Sequence, residues 1–145
     1  MAPDPRGSPA GMIFRRLDAD GDRRRAARLL PGCALDDHDG TCAWYGLCDL
    51  TAAEATGLAA VARVRCAEPG TARLCGLAVS TAYDGPRVGR RLVREVADRM
   101  RASGIEELSA PPALDHGVVT VLAQVGFTVS EQPQERGRGW LRLPL

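Results

Sequence analysis

The stretch Arg73 to Met100, RLCGLAVSTAYDGPRVGRRLVREVADRM, decides how the rest of the chain is read. Its opening belongs to a run from Thr71 to Ser80 that reads as a strand between turn signals. From Arg87 to Met100 the apolar residues Val88, Leu92, Val93, Val96, Ala97 and Met100 recur at helical spacing, with Arg87, Arg90, Arg91 and Arg94 as a basic shoulder. Between strand and helix lies STAYDGP, in which Gly85 suits an N-cap and Pro86 the first helical position, where a missing N–H costs least. Such a start predicts free backbone donors at Arg87, Val88 and Gly89, aimed along the positive pole of the helix dipole and suited to a phosphate. Arginine in a first turn opposes that dipole unless an anion is bound there, and Gly89 has no side chain to hold a ligand off.

Upstream, Met12 to Leu17 reads as a strand, and Asp20 as the cap of a helix with Ala26, Ala27, Leu29 and Leu30 on one face, ended by Pro31-Gly32. Trp44 to Leu50 and Gly57 to Cys66 read as strands joined by TAAEAT, and AEPG then turns the chain into the strand at Thr71, which makes an antiparallel meander. Downstream, Gly104 stops the long helix, and Ile105 to Ser109 reads as a strand whose crossover implies parallel pairing. Pro111-Pro112 breaks the chain, Asp115 can cap HGVVTVLAQ, and Gly126 closes that segment, whose valines leave helix and strand open. Phe127 to Glu131 and Gly139 to Leu145 read as two last strands, the second alternating Leu141, Leu143 and Leu145 against Trp140 and Arg142. Three strands on short turns need a helical layer to bury one face, so the fold class is α/β with a single core.

Composition bounds the function. The 145 residues suit one domain, expected over 12–145, with 1–11 (MAPDPRGSPAG) as a flexible tail that lacks the apolar stretch of a secretory signal. No apolar run is long enough to span a bilayer, and a cytoplasmic, non-membrane protein is expected. All 19 basic residues are arginine, so no lysine can form a Schiff base or serve as a Walker-type phosphate ligand. With 18 acidic residues the net charge is +1, which disfavours a nucleic-acid partner. Cys33, Cys42, Cys48, Cys66 and Cys75 are odd in number and lack C-x-x-C spacing, so buried free thiols are expected rather than zinc ligands or disulfides. The acidic loop around His38 matches no metal cage, and no metal site is expected.

The loop DGPRVG, Asp84 to Gly89, preceded by LAVSTAY and followed by RRLV, resembles the pyrophosphate loop Q/R-x-x-G-x-G/A of the GNAT superfamily of acetyl-CoA-dependent N-acyltransferases. LAQVGF, Leu122 to Phe127, is similar to that family's Y-x-x-x-G-F ending, and the element order from Met12 to Leu145 is also the family's. The resemblance implies a mixed, mostly antiparallel central sheet of six to seven strands flanked by helices, with HGVVTVLAQ helical. It implies acetyl-CoA as acyl donor, and transfer of an acetyl or related acyl group to a primary amine of a small molecule or peptide by direct attack in a ternary complex. Leu77, Ala78 and Val79 would meet the pantetheine arm, and Asp84, Gly85, Arg87, Val88, Gly89 and Arg90 the phosphates. The family's usual tyrosine acid corresponds to Leu122, its helix-opening asparagine to Asp115 and its fourth-strand acid to Arg73, which leaves Tyr83 and His116 as candidates for proton transfer.

Across the AEPG hairpin Arg65 and Arg73 fall opposite each other, an unfavourable pair unless an anion or Glu68 lies between them, and a substrate carboxylate or phosphate is the functional reading. A non-catalytic module of the same fold that senses acyl-CoA or binds a partner is an alternative. A transferase fed by acyl carrier protein or aminoacyl-tRNA is another. An exposed strand edge leaves room for a homodimer.

Overall fold

Alternation along the central strands produces a sheet with two unequal apolar faces. The computed structural model of the protein describes residues 11–18, 20–30, 42–50, 57–111, 116–129 and 141–145, without the side chains of residues 20, 67, 68 and 116. The elements are β1 (Met12–Arg16), α1 (Asp20–Leu29), β2 (Cys42–Asp49), β3 (Leu58–Glu68), β4 (Thr71–Val79), α2 (Gly85–Ala102), β5 (Glu107–Ala110), α3 (His116–Val125), β6 (Thr128–Val129) and β7 (Leu141–Pro144). They form a seven-stranded sheet in the order β1-β2-β3-β4-β5-β7-β6. Among the described strands only β4 and β5 pair in parallel, as the helical crossover between them requires. The mixed, mostly antiparallel sheet flanked by helices is the expected one.

On one face Leu47, Ala60, Ala62, Val64, Ala72 and Leu74 pack beneath Val88, Leu92, Val93 and Val96 of α2 and Val121 and Leu122 of α3. On the other, Trp44 and Val61 meet Leu17, just past β1, and Ala26 of α1. A bulge marks the middle of β4: Arg63 pairs with Gly76 and Val64 with Leu74, so Cys75 is the extra residue.

Several boundaries differ from the sequence reading, for local reasons. Asp20 is the first residue of α1 rather than its cap. The strand expected from Ile105 begins at Glu107, because Ile105 still belongs to the end of α2. There the N–H of Ile105 is donated to the carbonyl of Met100 at 2.9 Å and that of Gly104 to Arg101 at 3.1 Å. Gly126 ends α3 in the same way, with Phe127 donating to Leu122 at 3.0 Å and Gly126 to Ala123 at 3.2 Å. Both are paired-bond helix terminations that need positive φ, and Gly104 (86°) and Gly126 (124°) supply it. The valine-rich α3 is a helix, since its apolar residues Val121 and Leu122 join the core under this closed end. Among the described cysteines only Cys42 is buried, Cys66 is exposed, and Cys48 and Cys75 are intermediate, so the expectation of buried thiols holds for Cys42 alone. Cys33, Asp115, Trp140 and the acidic loop with His38 lie outside the described residues.

Replacing Gly126 by Ala forces an L side chain into that positive-φ geometry, against Leu143 Cδ1 at 3.4 Å. Urea unfolding should show a loss of about 1–2 kcal/mol relative to the parent chain.

Candidate functional site

The site begins where two strands part. Thr71, Ala72 and Arg73 of β4 pair with Glu107, Leu108 and Ser109 of β5, and beyond Arg73 the register with β5 stops while that with β3 continues to Val79. The direction of the backbone groups along this open edge follows from one bond. The N–H of Ser80 is donated to the carbonyl of Ala59 at 2.8 Å, so by alternation Ser80 and Ala78 face β3 and Val79 and Leu77 face the gap. Next to that gap lies a cleft of about 330 Å³ lined by Leu77, Ala78 and Val79 of β4, Gly85, Pro86 and Gly89 of α2, and Gly117, Val118 and Val121 of α3.

Gly89 is buried at the seam of the three elements. A Cβ built there would lie 3.4 Å from Val121 Cγ1 and 3.6 Å from Val79 Cγ2, so the missing side chain lets α2 close onto α3 and β4 as well as lining the cleft. Arg90, on the next position, donates to Gln124 Oε1 at 2.8 Å and ties α2 to α3.

The start of α2 corrects the sequence reading. Its N-cap is Asp84, with extended backbone, and Gly85 and Pro86 are already helical. Asp84 Oδ1 accepts the N–H of Arg87 at 3.4 Å, and the Asp84 carbonyl accepts that of Val88 at 3.0 Å. Gly89, one residue further into the helix, has its N–H within the ordinary i to i−4 ladder. The expected trio of outward donors at Arg87, Val88 and Gly89 is therefore absent. A carboxylate cap has taken the role that the glycine reading left to a ligand, and Pro86 brings no N–H. The acceptor at Arg87 is long, and the guanidinium of Arg87 stands at an exposed position of the first turn.

Tyr83 hangs from the same loop. Its hydroxyl is donated to Asp49 Oδ2 at 2.8 Å, across to the end of β2, and its ring packs against the core. Burial and then the bond to the Asp49 carboxylate push its phenol up to about 12, so it stays protonated through neutral pH. Tyr83 lines a shallow pocket of about 390 Å³ formed by Thr81 to Pro86, not the cleft itself. His116 opens α3, one residue before cleft-lining Gly117, and its side chain is outside the described atoms. Leu122, at the position corresponding to a tyrosine in the resembling family, is fully buried in the core. Arg65 and Arg73 are direct cross-strand partners, as expected, at the last rung before the gap.

Asp49, Gln124, Val118 and Val121 were not singled out from the sequence. Asp49 and Gln124 lie 34 residues from the groups they bind, and no local pattern carries such a pairing. Val118 and Val121 could have been found from the helical spacing of α3 once its helicity was settled. Among the described residues no group of three or more His, Cys, Asp or Glu could hold a metal ion, and no helix is long and apolar enough to cross a membrane.

Because the raised phenol pKa keeps a proton on the folded state, its contribution to stability is complete below about pH 10 and is lost as pH rises through about 12. Phenolate absorbance should show Tyr83 titrating above a free tyrosine, and Asp49→Asn should lower that transition while leaving it above about 10, because burial, the larger cause, remains. An unchanged transition in the variant would mean that the Asp49 carboxylate does not hold the proton.

Comparison with known proteins agrees with this architecture. The chain is similar to the ribosomal-protein-S18-alanine N-acetyltransferase of Escherichia coli, with TM-score 0.67, 17% identity, and 92% of this chain and 93% of that one covered. It is similar to Tetrahymena GCN5, with TM-score 0.65, 19% identity, and 91% and 95% covered. For a GCN5-related N-acetyltransferase of Kribbella flavida the values are 0.68, 16%, 95% and 100%. At these identities the likeness is one of fold. No curated protein matches the sequence. The sequence model of the Acetyltransferase (GNAT) family matches residues 13–127, a span that runs from β1 through the parted strands to the end of α3. The parting of β4 from β5, the cleft beside it and that match together place this chain among the acyltransferases of the GNAT family.

Proposed function

We propose that this acyltransferase moves an acetyl or related short acyl group from coenzyme A to a primary amine, with donor and acceptor bound together. The observation that carries the reading is the open edge of β4, where the backbone groups of Leu77 and Val79 face an apolar cleft. A pantetheine arm has amides that can pair with such an edge as a strand would, and a slender chain that suits the cleft. The residues at the α2 start fit a pyrophosphate less fully. The N–H of Gly85, the Arg87 guanidinium and the remaining donors of Arg90 favour an anion, while the Asp84 carboxylate opposes it.

In the reaction the amine nitrogen bonds to the thioester carbonyl carbon, the carbon–sulfur bond breaks, and the proton lost by nitrogen ends on the departing thiolate. The chain's part is to hold the acyl group at the fork, with a strand N–H of the open β4 edge as donor to the developing oxyanion. A thiol pKa of about 8.5 makes thiolate a competent leaving group without the tyrosine that Leu122 replaces. His116, beside the cleft-lining Gly117, is the candidate proton carrier, since imidazole titrates near neutrality. Tyr83, engaged with Asp49, serves to hold the loop.

Acetyl-CoA at about a hundredfold excess over its Kd should raise the melting temperature by about 5 °C or more. Val118→Phe, which fills the cleft from a half-buried position, should abolish that rise and leave the ligand-free melting temperature nearly unchanged. His116→Asn should flatten the neutral limb of the pH profile for thiol release. Loss of the acetyl-CoA shift in the parent chain itself would overturn the reading.

A further inference from the structure

Among the described residues two polar side chains are buried, Asp22 and Ser109. Asp22 is well met: Arg15 reaches its two oxygens at 3.0 Å, and Arg25 reaches one of them at 3.4 Å. Ser109, only 6% exposed, is not. Its hydroxyl donates to the carbonyl of Ala72 at 3.4 Å, whereas a full O–H···O bond spans about 2.5–3.0 Å. Among the described residues no group donates to its oxygen. A buried hydroxyl so weakly engaged costs stability that an alanine would not, and its place in the fold supplies a reason for it.

Ser109 lies in β5 between Leu108 and Ala110, both in the core beneath α2 and α3. By alternation its side chain stands on the opposite face of the sheet. It pairs with Arg73 of β4 on one side and with Arg142 of β7 on the other. The Arg73–Ser109 rung is the last before β4 and β5 part, so the hydroxyl sits at the root of the gap. Further along β4 on the same face comes Gly76, which pairs with Arg63, whose guanidinium lies 5.8 Å from the Trp44 ring on the α1 side. Gly76 brings no side chain to that side of the gap, which leaves room for a small group beside the serine. The donor cleft, lined by α2 and α3, opens on the other side of the same gap.

We infer that Ser109 holds the acceptor nitrogen: its oxygen accepts a hydrogen bond from the attacking amine while its own proton stays directed at the Ala72 carbonyl. This rests on the acyl-CoA reading above and adds to it a residue that touches the acceptor. A neutral primary amine has two N–H bonds and one lone pair. Fixing one N–H on the Ser109 oxygen aims the lone pair into the gap, where the acyl carbon is held. As the nitrogen–carbon bond forms, positive charge grows on nitrogen and the bond to Ser109 strengthens, so the contact favours the transition state over the ground state. The exclusion of water at this depth strengthens it further. The bonds that form and break are those already given, with the nitrogen's proton passing to the thiolate and the serine keeping its own.

Hydroxylamine is the probe, because it is small, largely neutral near neutral pH and needs no shaped acceptor pocket. Hydroxamate formation from acetyl-CoA should run faster with the parent chain than without it. Ser109→Ala should lower kcat/KM for hydroxylamine by about tenfold to a hundredfold. The KM for acetyl-CoA and the melting-temperature shift it causes should keep their parent values in that variant. Its ligand-free melting temperature should stay close to the parent's, since the bond removed is weak. Ser109→Thr, which retains the hydroxyl, should recover most of the rate. An undiminished rate in Ser109→Ala, an equal loss in both variants, or a parent chain that is stabilised by acetyl-CoA yet forms no hydroxamate would overturn the inference. A parent chain that ignores every CoA ester would instead remove the acyl-CoA reading on which it stands.

Discussion

A strand that ends too early governs this molecule. β5 is only four residues long beside the nine of β4, and it stops at Ala110 because Pro111 and Pro112 follow. Proline brings no N–H to a ladder and fixes its own φ, so the pairing cannot continue along β4. Among the described strands the rest of β4 is paired with β3 alone, which leaves an open backbone edge at Leu77 and Val79 within a seven-stranded sheet. Edges are normally confined to the rim of a sheet or covered. Here α3 fills the space beside the edge only partly, and the remainder is the cleft.

The second constraint is how the α2 start satisfies its donors. A helix N-terminus has surplus N–H groups that an anion, a side chain or water must meet. With Asp84 at the cap and Pro86 in the first turn, this chain has met part of that demand internally. A phosphate bound there would compete with the Asp84 carboxylate for the N–H of Arg87 and would have to draw more on arginine side chains than on the backbone. The Tyr83 bond to Asp49 anchors the same loop from behind, and Gly89 and Arg90 fix α2 against α3. The cleft is thus bounded by three elements whose relative placement is set by specific contacts.

The order of elements, the meander, the parallel crossover and the opposition of Arg65 and Arg73 were legible because they depend on local signals: alternation, helical spacing, and turn residues at short range. The N-cap is ambiguous in the sequence because Gly85 and Asp84 are both good caps, and only the backbone angles show that the helix begins one residue sooner than a Gly85 cap implies. The start of the strand after α2 is obscured because Ile105 is β-forming by type yet closes the helix through its bond to Met100. Tyr83 with Asp49 and Arg90 with Gln124 were invisible, since a pairing over such separations is decided by the packing of the whole sheet. The alignment of Arg142 with Arg73 needs two registers in succession, parallel then antiparallel, and neither can be counted from the chain.

The sheet's outer rims show how the molecule treats its own copies. β6, described over Thr128–Val129, forms one rim. β1, at the opposite rim, pairs Arg15 with Asp22 at 3.0 Å and Arg16 with Asp18 at 2.9 Å, and exposes Ile13 between core-facing residues. A strand arriving there from a second molecule would bring identical arginines alongside and would have to disturb both ion pairs. Charge along the β1 rim works against the stacking of sheets into fibres, whereas the open backbone edge of β4 lies in the interior of the strand order, away from either rim.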